Sequence, residues 1–245
     1  MKIIVLKFGG TSVGTIKKIK KVAEIIANYK KKKYKVIVVS SAMSGVTNEL
    51  IKKSSEISGN FSDSEYDVLV STGEQIACSL IAGRLIHKKF KSRSWTSWQI
   101  PIITVGSYKN SRINLIYKKR IIKYLRDGGI PIITGFQGTN SENRITTIGR
   151  GGSDASAIML AKFFKAEKCI IYTDVEGVYT TDPNLIKTAK KINKISYEEM
   201  LELASQGAKV LQTRSVELAM RKNTKLSVRS SLEPKKSGTL ITDEK

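Results

Sequence analysis

The run Thr146-Thr147-Ile148-Gly149-Arg150-Gly151-Gly152-Ser153-Asp154 gathers residue types that do chemistry on anions. Gly151 and Gly152 let backbone N–H groups converge on a negative group. Arg150 adds a fork of donors matched to carboxylate or phosphate. Ala155 to Ala161 then shows the small and apolar pattern of a buried helix. Ser153 is expected to N-cap that helix, and Asp154 to sit in its first turn, where a negative charge suits the helix dipole. Taken alone, the run is as well explained by an ordinary strand–loop–helix turn.

Other segments repeat the arrangement. Lys7-Phe8-Gly9-Gly10-Thr11-Ser12 leaves a short branched run, Lys2 to Leu6, and enters a helix carrying Ile16, Ile19, Val22, Ala23 and Ile26 at helical spacing. It is not a Walker A loop, because Thr15-Ile16 stands where Lys-Ser/Thr is required. Here the lysine precedes the glycines, so Gly9 and Gly10 amides would approach a nucleotide phosphate while Lys7 neutralises it; the plainer alternative is a solvated lysine at a tight turn. Lys35 to Ser40 is a second buried strand with a hydroxyl-rich exit, Ser40 to Asn48, ahead of a helix from Val46 to Ile57. Ile130 to Thr134 ends at Gly135-Phe136-Gln137-Gly138-Thr139. Lys168 to Thr173 ends at Thr173-Asp174-Val175-Glu176-Gly177-Val178-Tyr179, a turn suited to a ribose or base with Tyr179 as a wall.

Strands alternating with helices and buried on both faces predict an α/β fold: a three-layer αβα sandwich with a mostly parallel central sheet. Ligands in such sheets sit outside the carboxyl ends of the strands, where these loops fall. A long helical stretch from Glu65 to Phe90 is expected to break near Ser71-Thr72-Gly73, so that Glu74 either caps the new start or projects into a cleft to bind a cation. Residues 92–107 read as short strands or a hairpin, 114–127 as a helix stopped by Gly128-Gly129, and Ser196 with Glu199 as a capping box. A helix from Thr213 to Arg221 and a last strand, Lys225 to Val228, precede a polar end.

Composition narrows the function. The 245 residues carry 43 Lys+Arg against 21 Asp+Glu, a formal charge of +22. The lysines are spread over helix faces with no aromatic-interleaved basic motif, so no nucleic-acid partner is expected and the charge serves to steer anions. One histidine rules out a histidine triad or a His-pair metal site. Two cysteines in apolar surroundings read as reduced core residues, and no apolar run approaches the roughly 18 residues of a membrane span. A cytoplasmic location is the expectation, with no membrane partner.

Taken together and in order, Lys7 to Ser12, Ser41-Ala42-Met43-Ser44-Gly45-Val46-Thr47, Ser71-Thr72-Gly73-Glu74, Gly149 to Asp154, Thr173 to Pro183 and Gly207-Ala208-Lys209-Val210-Leu211 resemble the aspartokinases of the amino-acid kinase superfamily. The resemblance implies Mg-ATP-dependent phosphorylation of the L-aspartate side chain, the first step toward lysine, threonine, methionine and diaminopimelate. It implies that Lys7, Gly9, Gly10 and Lys209 meet the ATP phosphates, and that Thr173, Asp174, Tyr179 and Asp182 line the nucleotide. Ser41, Thr47, Glu74 and Arg150 would hold aspartate, with Gly151, Gly152, Ser153 and Asp154 around the reacting end and Asp154 steadying lysine. No protein metal site is expected; Mg²⁺ would be held through the phosphates. Residues 1–232 would be the catalytic domain and 233–245 a polar tail resembling the linker to ACT regulatory domains. A homo-oligomer is left open. Asn184 departs from the family, which often has arginine after the Asp-Pro pair.

Overall fold

The structure, a computed structural model, describes residues 2–183, 185–207 and 210–243. β1 (Ile3–Phe8) is buried along its length because both its faces are covered. Alternate side chains enter opposite cores: Ile3 and Val5 one, Ile4, Leu6 and Phe8 the other. After Gly9 the chain makes a single turn, α1 (Gly10–Val13), then α2 (Ile16–Lys31), capped by Thr15 Oγ1, which accepts from the Lys18 amide at 3.2 Å. β2 (Lys35–Ser40) and α3 (Val46–Ile57) match the expected bounds.

α4 (Asp63–His87) runs unbroken through Gly73, contrary to the expected interruption. Ser71 and Thr72 are accommodated within the helix, their hydroxyls donating back to the Val68 and Leu69 carbonyls at 2.7 and 2.8 Å. Gly73 is there for close packing: a Cβ on it would lie 2.8 Å from Ala42 Cβ. β3 (Ser92–Trp95), β4 (Ile102–Val105) and β5 (Arg112–Ile116) follow. β5 replaces the first part of the expected 114–127 helix, leaving only α5 (Lys119–Arg126), because residues 112–116 pair antiparallel with β4.

β6 (Ile130–Thr134) leads to the short hairpin β7 (Gln137–Thr139) and β8 (Ile145–Thr147), then to α6 (Gly152–Phe163) and β9 (Cys169–Thr173). β10 (Lys194–Ile195) precedes α7 (Tyr197–Ser205), opened by the Ser196/Glu199 capping box, and α8 (Thr213–Lys222). β11 (Leu226–Ser230) and β12 (Thr239–Ile241) end the described chain. β12 corrects the reading of 233–245 as a polar tail, since Thr239–Ile241 pairs with both β11 and β10.

The large sheet has the order β10-β12-β11-β9-β1-β2-β6-β3, with one antiparallel pair, β11–β12; a second sheet has the order β5-β4-β7-β8. Side chains of α2 and α4 fill the core on one face of the large sheet. Those of α5, α6, α7 and α8 fill the other. The chain leaves β1 toward β2 on one side and returns to β9 on the other, which puts a crevice at the carboxyl end of the central strand. Among the described residues no helix is long and apolar enough to cross a membrane.

Candidate active site

Register places the loop-bearing strand ends on one edge. Phe8 lies opposite Ser40 and Tyr172, Ser40 opposite Thr134, and Thr173 opposite Ser230. Backbone bonds continue each pair one residue further. Gly9 N donates to Tyr172 O (3.2 Å), Ser41 N to Phe8 O (3.0 Å), Gly135 N to Ser40 O (3.0 Å) and Ser231 N to Thr173 O (2.8 Å).

Strand alternation turns Lys7 toward the α6 side of the sheet, with Ile3 and Val5. Its Nζ lies 2.6 Å from Asp154 Oδ1, and both side chains are 11% exposed. α6 begins two residues earlier than expected: Gly151, in the left-handed region at φ 72°, is the N-cap, and Ser153 lies inside the first turn. Only glycine takes that φ without strain, so the turn can start there and carry Asp154 inward. Ser153 instead packs over the end of β6, where a Cβ on Gly135 would lie 2.8 Å from Ser153 Oγ. Phe136 beside it is held at φ 67°, an uncommon conformation for an aromatic residue. Its amide donates to Ser156 Oγ (3.1 Å) and its carbonyl accepts from Ile148 N (2.9 Å).

Glu74 neither begins nor caps a helix; it projects from the middle of α4 and is 3% exposed. Its Oε1 accepts from the Ala42 amide at 3.0 Å, and its Oε2 is buried without a hydrogen-bond partner. Burial pushes the carboxyl up to about 7, with the Ala42 bond pulling the other way.

Ser41 is half-buried at the β2 exit and Thr47 lies in the first turn of α3. Arg150 is exposed on the loop ahead of α6. Thr173 Oγ1 donates to Asp174 Oδ1 at 3.0 Å at the β9 exit, beside Gly9. Tyr179 and Asp182 lie further out on the 174–193 connection: Tyr179 bridges Lys191, and the Asp182 carbonyl accepts from Leu185 and Ile186 amides. The β1, β2, β6 and β9 exits thus converge on Lys7 and Asp154, with Glu74 beneath Ala42. Lys209 and Asn184 lie outside the described residues.

Several positioning residues escape a reading of the sequence. Asp67, fully buried on α4, accepts from Thr147 N (2.8 Å), Thr147 Oγ1 (2.7 Å) and the Lys109 amide (3.0 and 3.1 Å), which pins the strand feeding the 149–152 loop. Arg214 on α8 ties the same loop down through Ile148 O and Asn110 Oδ1, both at 2.8 Å. Ser12 and Ser231 share a 2.8 Å hydrogen bond that joins the β1 and β11 exits. Nothing in the local pattern around these residues signals the role, because each partner lies 40 or more positions away.

A buried ammonium paired to a carboxylate, glycine-rich turns on either side and a partnerless buried carboxylate oxygen make an edge able to hold two small charged ligands together. Among the described residues there is no group of three or more His, Cys, Asp or Glu placed to hold a metal ion.

The model of the amino acid kinase family matches residues 2–230. The aspartokinase of Rickettsia felis is 49% identical over the whole chain, which spans 62% of that protein's length. The solved aspartate kinase from Synechocystis superposes with a TM-score of 0.87 at 40% identity, over 99% of this chain and 40% of that one. E. coli aspartokinase III in complex with aspartate and ADP gives a TM-score of 0.87 at 28% identity, over 100% of this chain and 65% of that one.

Proposed function

This chain belongs to the amino acid kinase family, and from that membership we propose that it is an aspartate kinase, making 4-phospho-L-aspartate and ADP from L-aspartate and ATP. A side-chain carboxylate, with a pKa near 3.9, is ionised at neutral pH and attacks without a general base. Its oxygen bonds to the γ-phosphorus as the β–γ bridging P–O bond breaks and ADP departs with that electron pair. The barrier to lower is repulsion between two anions, so the protein's task is positioning and positive charge.

Lys7, steadied by Asp154, would neutralise charge on the transferring phosphoryl group, with Gly9 and Gly10 amides beside it. Lys209 is proposed for the same phosphates. Arg150 would take the α-carboxylate of aspartate, Glu74 its ammonium, and Ser41 and Thr47 its remaining polar edge, with Gly151, Gly152 and Ser153 around the reacting end. Thr173, Asp174, Tyr179 and Asp182 would line the nucleotide. Magnesium would enter as part of the nucleotide substrate, held mainly by the phosphates.

The observation that carries the reading is Glu74 Oε2, a buried acceptor without a partner beside the β2 exit. An amino-acid ammonium would supply the missing donor together with a positive charge to match the carboxylate, whereas a nucleoside monophosphate brings only uncharged N–H and O–H donors. Coupled measurement of ADP release with L-aspartate, L-glutamate and UMP in turn tests the proposal. Aspartate alone should stimulate release; stimulation by UMP and not by aspartate overturns it. The product would feed synthesis of lysine, threonine, methionine and diaminopimelate.

A further inference from the structure

A cavity of about 500 Å³ opens between β5, α6 and α8, and neither Lys7 nor Asp154 lines it. Its volume falls within the range of small-molecule sites. The floor is apolar, made by Ile113, Ile148, Met159 and Leu218. The walls carry four cations, Arg112, Arg214, Arg221 and Lys222, against one acid, Glu217. The acid is weakly engaged, its Oε2 lying 4.0 Å from Arg221 Nη2, and it offsets one of the four.

An apolar floor under a cationic rim selects a ligand with both properties. We propose that this cavity binds a small organic anion with an apolar body, and that occupancy is felt at the 149–152 loop. Charge alone would leave the floor uncovered, and an uncharged apolar molecule would leave the rim without a counter-ion.

The coupling follows from connectivity. Ile148 in the floor is bonded to Gly149, where the loop begins. Ala155 lines the cavity and is bonded to Asp154. Arg214 in the wall holds the Ile148 carbonyl at 2.8 Å and Ser111 O at 3.3 Å, so displacement of its guanidinium pulls on the strand that feeds the loop. The inference does not rest on the proposed reaction, because the lining contains none of Lys7, Glu74, Arg150 or Asp154.

The test is an NMR titration of the chain labelled at methionine methyls and backbone amides, which reads binding without turnover. Phthalate is the probe, with inorganic phosphate and benzyl alcohol as comparators. Phthalate should give a saturable shift of the Met159 methyl together with the Gly151 and Gly152 amides. The comparators should move neither. In the rim variant Arg112→Gln/Lys222→Gln the phthalate affinity should fall about tenfold. No shift at Met159, or an affinity unchanged in the variant, overturns the site. A Met159 shift with phosphate or benzyl alcohol alone overturns the ligand class. A Met159 shift with Gly151 and Gly152 unmoved overturns the coupling.

Discussion

Lys7 Nζ and Asp154 Oδ1 meet at 2.6 Å although 147 positions separate them, one at the end of the central strand and the other in the first turn of α6. The contact exists because strand alternation turns Lys7 to the α6 side and Gly151 lets the helix begin early enough to carry Asp154 inward. If Lys7 offsets charge on the transferring phosphoryl group, Lys7→Met should lower kcat by about a thousandfold with little change in aspartate KM. Asp154→Asn should lower kcat less, because the lysine stays but is less well held. Steady-state kinetics of both variants check this, and a Lys7→Met enzyme with wild-type kcat removes Lys7 from the chemistry.

Glu74 sets a pH dependence. Its folded-state pKa, about 7, lies above the ordinary value of 4.5, so the folded chain holds this proton more tightly than the unfolded chain. The stability it contributes is complete below about 4.5 and is lost as pH rises through about 7. Glu74→Gln should therefore stabilise the free protein at about pH 8, by up to roughly 3 kcal/mol, and hardly at all at about pH 4. Urea denaturation at the two pH values measures the difference; equal effects contradict it. The same variant should raise aspartate KM by about a hundredfold and change ATP KM by less than about twofold, as loss of a charged contact to one substrate requires.

Asp67 is a structural carboxylate with a long reach. Asp67→Ala leaves Thr147 and Lys109 amides without their acceptor and should cost roughly 3 kcal/mol. Hydrogen exchange should quicken selectively at the Thr147 and Lys109 amides. Exchange there as slow as in the wild-type chain would show that Asp67 does not pin this strand.

Close packing at the β6 exit gives a paired test. Gly135→Ala places a Cβ 2.8 Å from Ser153 Oγ, 2.9 Å from Ser153 Cβ and 3.0 Å from Val39 Cγ1. The clash should cost about 1–3 kcal/mol of stability. Ser153→Gly in the same chain removes two of the three contacts and should recover part of the loss. Thermal unfolding of the two variants decides, and a Gly135→Ala chain as stable as wild type contradicts the packing.

The strands at the heart of the sheet were legible because burial on both faces writes a continuous branched run, as in Val36-Ile37-Val38-Val39, and because each run stops at glycine or hydroxyl residues. The meeting of four such exits on one edge followed from parallel pairing alone. Elements governed by distant partners were not legible. Residues 112–116 become β5 because β4 is available to pair with them, a partner that no local pattern records. Gly73 looks like a break, yet its contact is with Ala42 in the connection between β2 and α3. Thr239-Leu240-Ile241 is too short to read as a strand until β11 and β10 stand beside it. At the candidate site, residue types and loop positions could be read. The left-handed turn at Phe136 could not, since its amide and carbonyl are held by Ser156 and Ile148 on later elements, nor could the service of Asp67 and Arg214, whose partners lie 40 or more positions away.

The most direct measurement is hydroxylamine trapping of the product in the presence of Mg-ATP. An acyl phosphate yields a hydroxamate, which a phosphate ester or simple ATP hydrolysis does not. The account predicts an aspartate hydroxamate formed in step with ADP, and none from L-glutamate. ADP released without hydroxamate, or hydroxamate formed equally from glutamate, would contradict it.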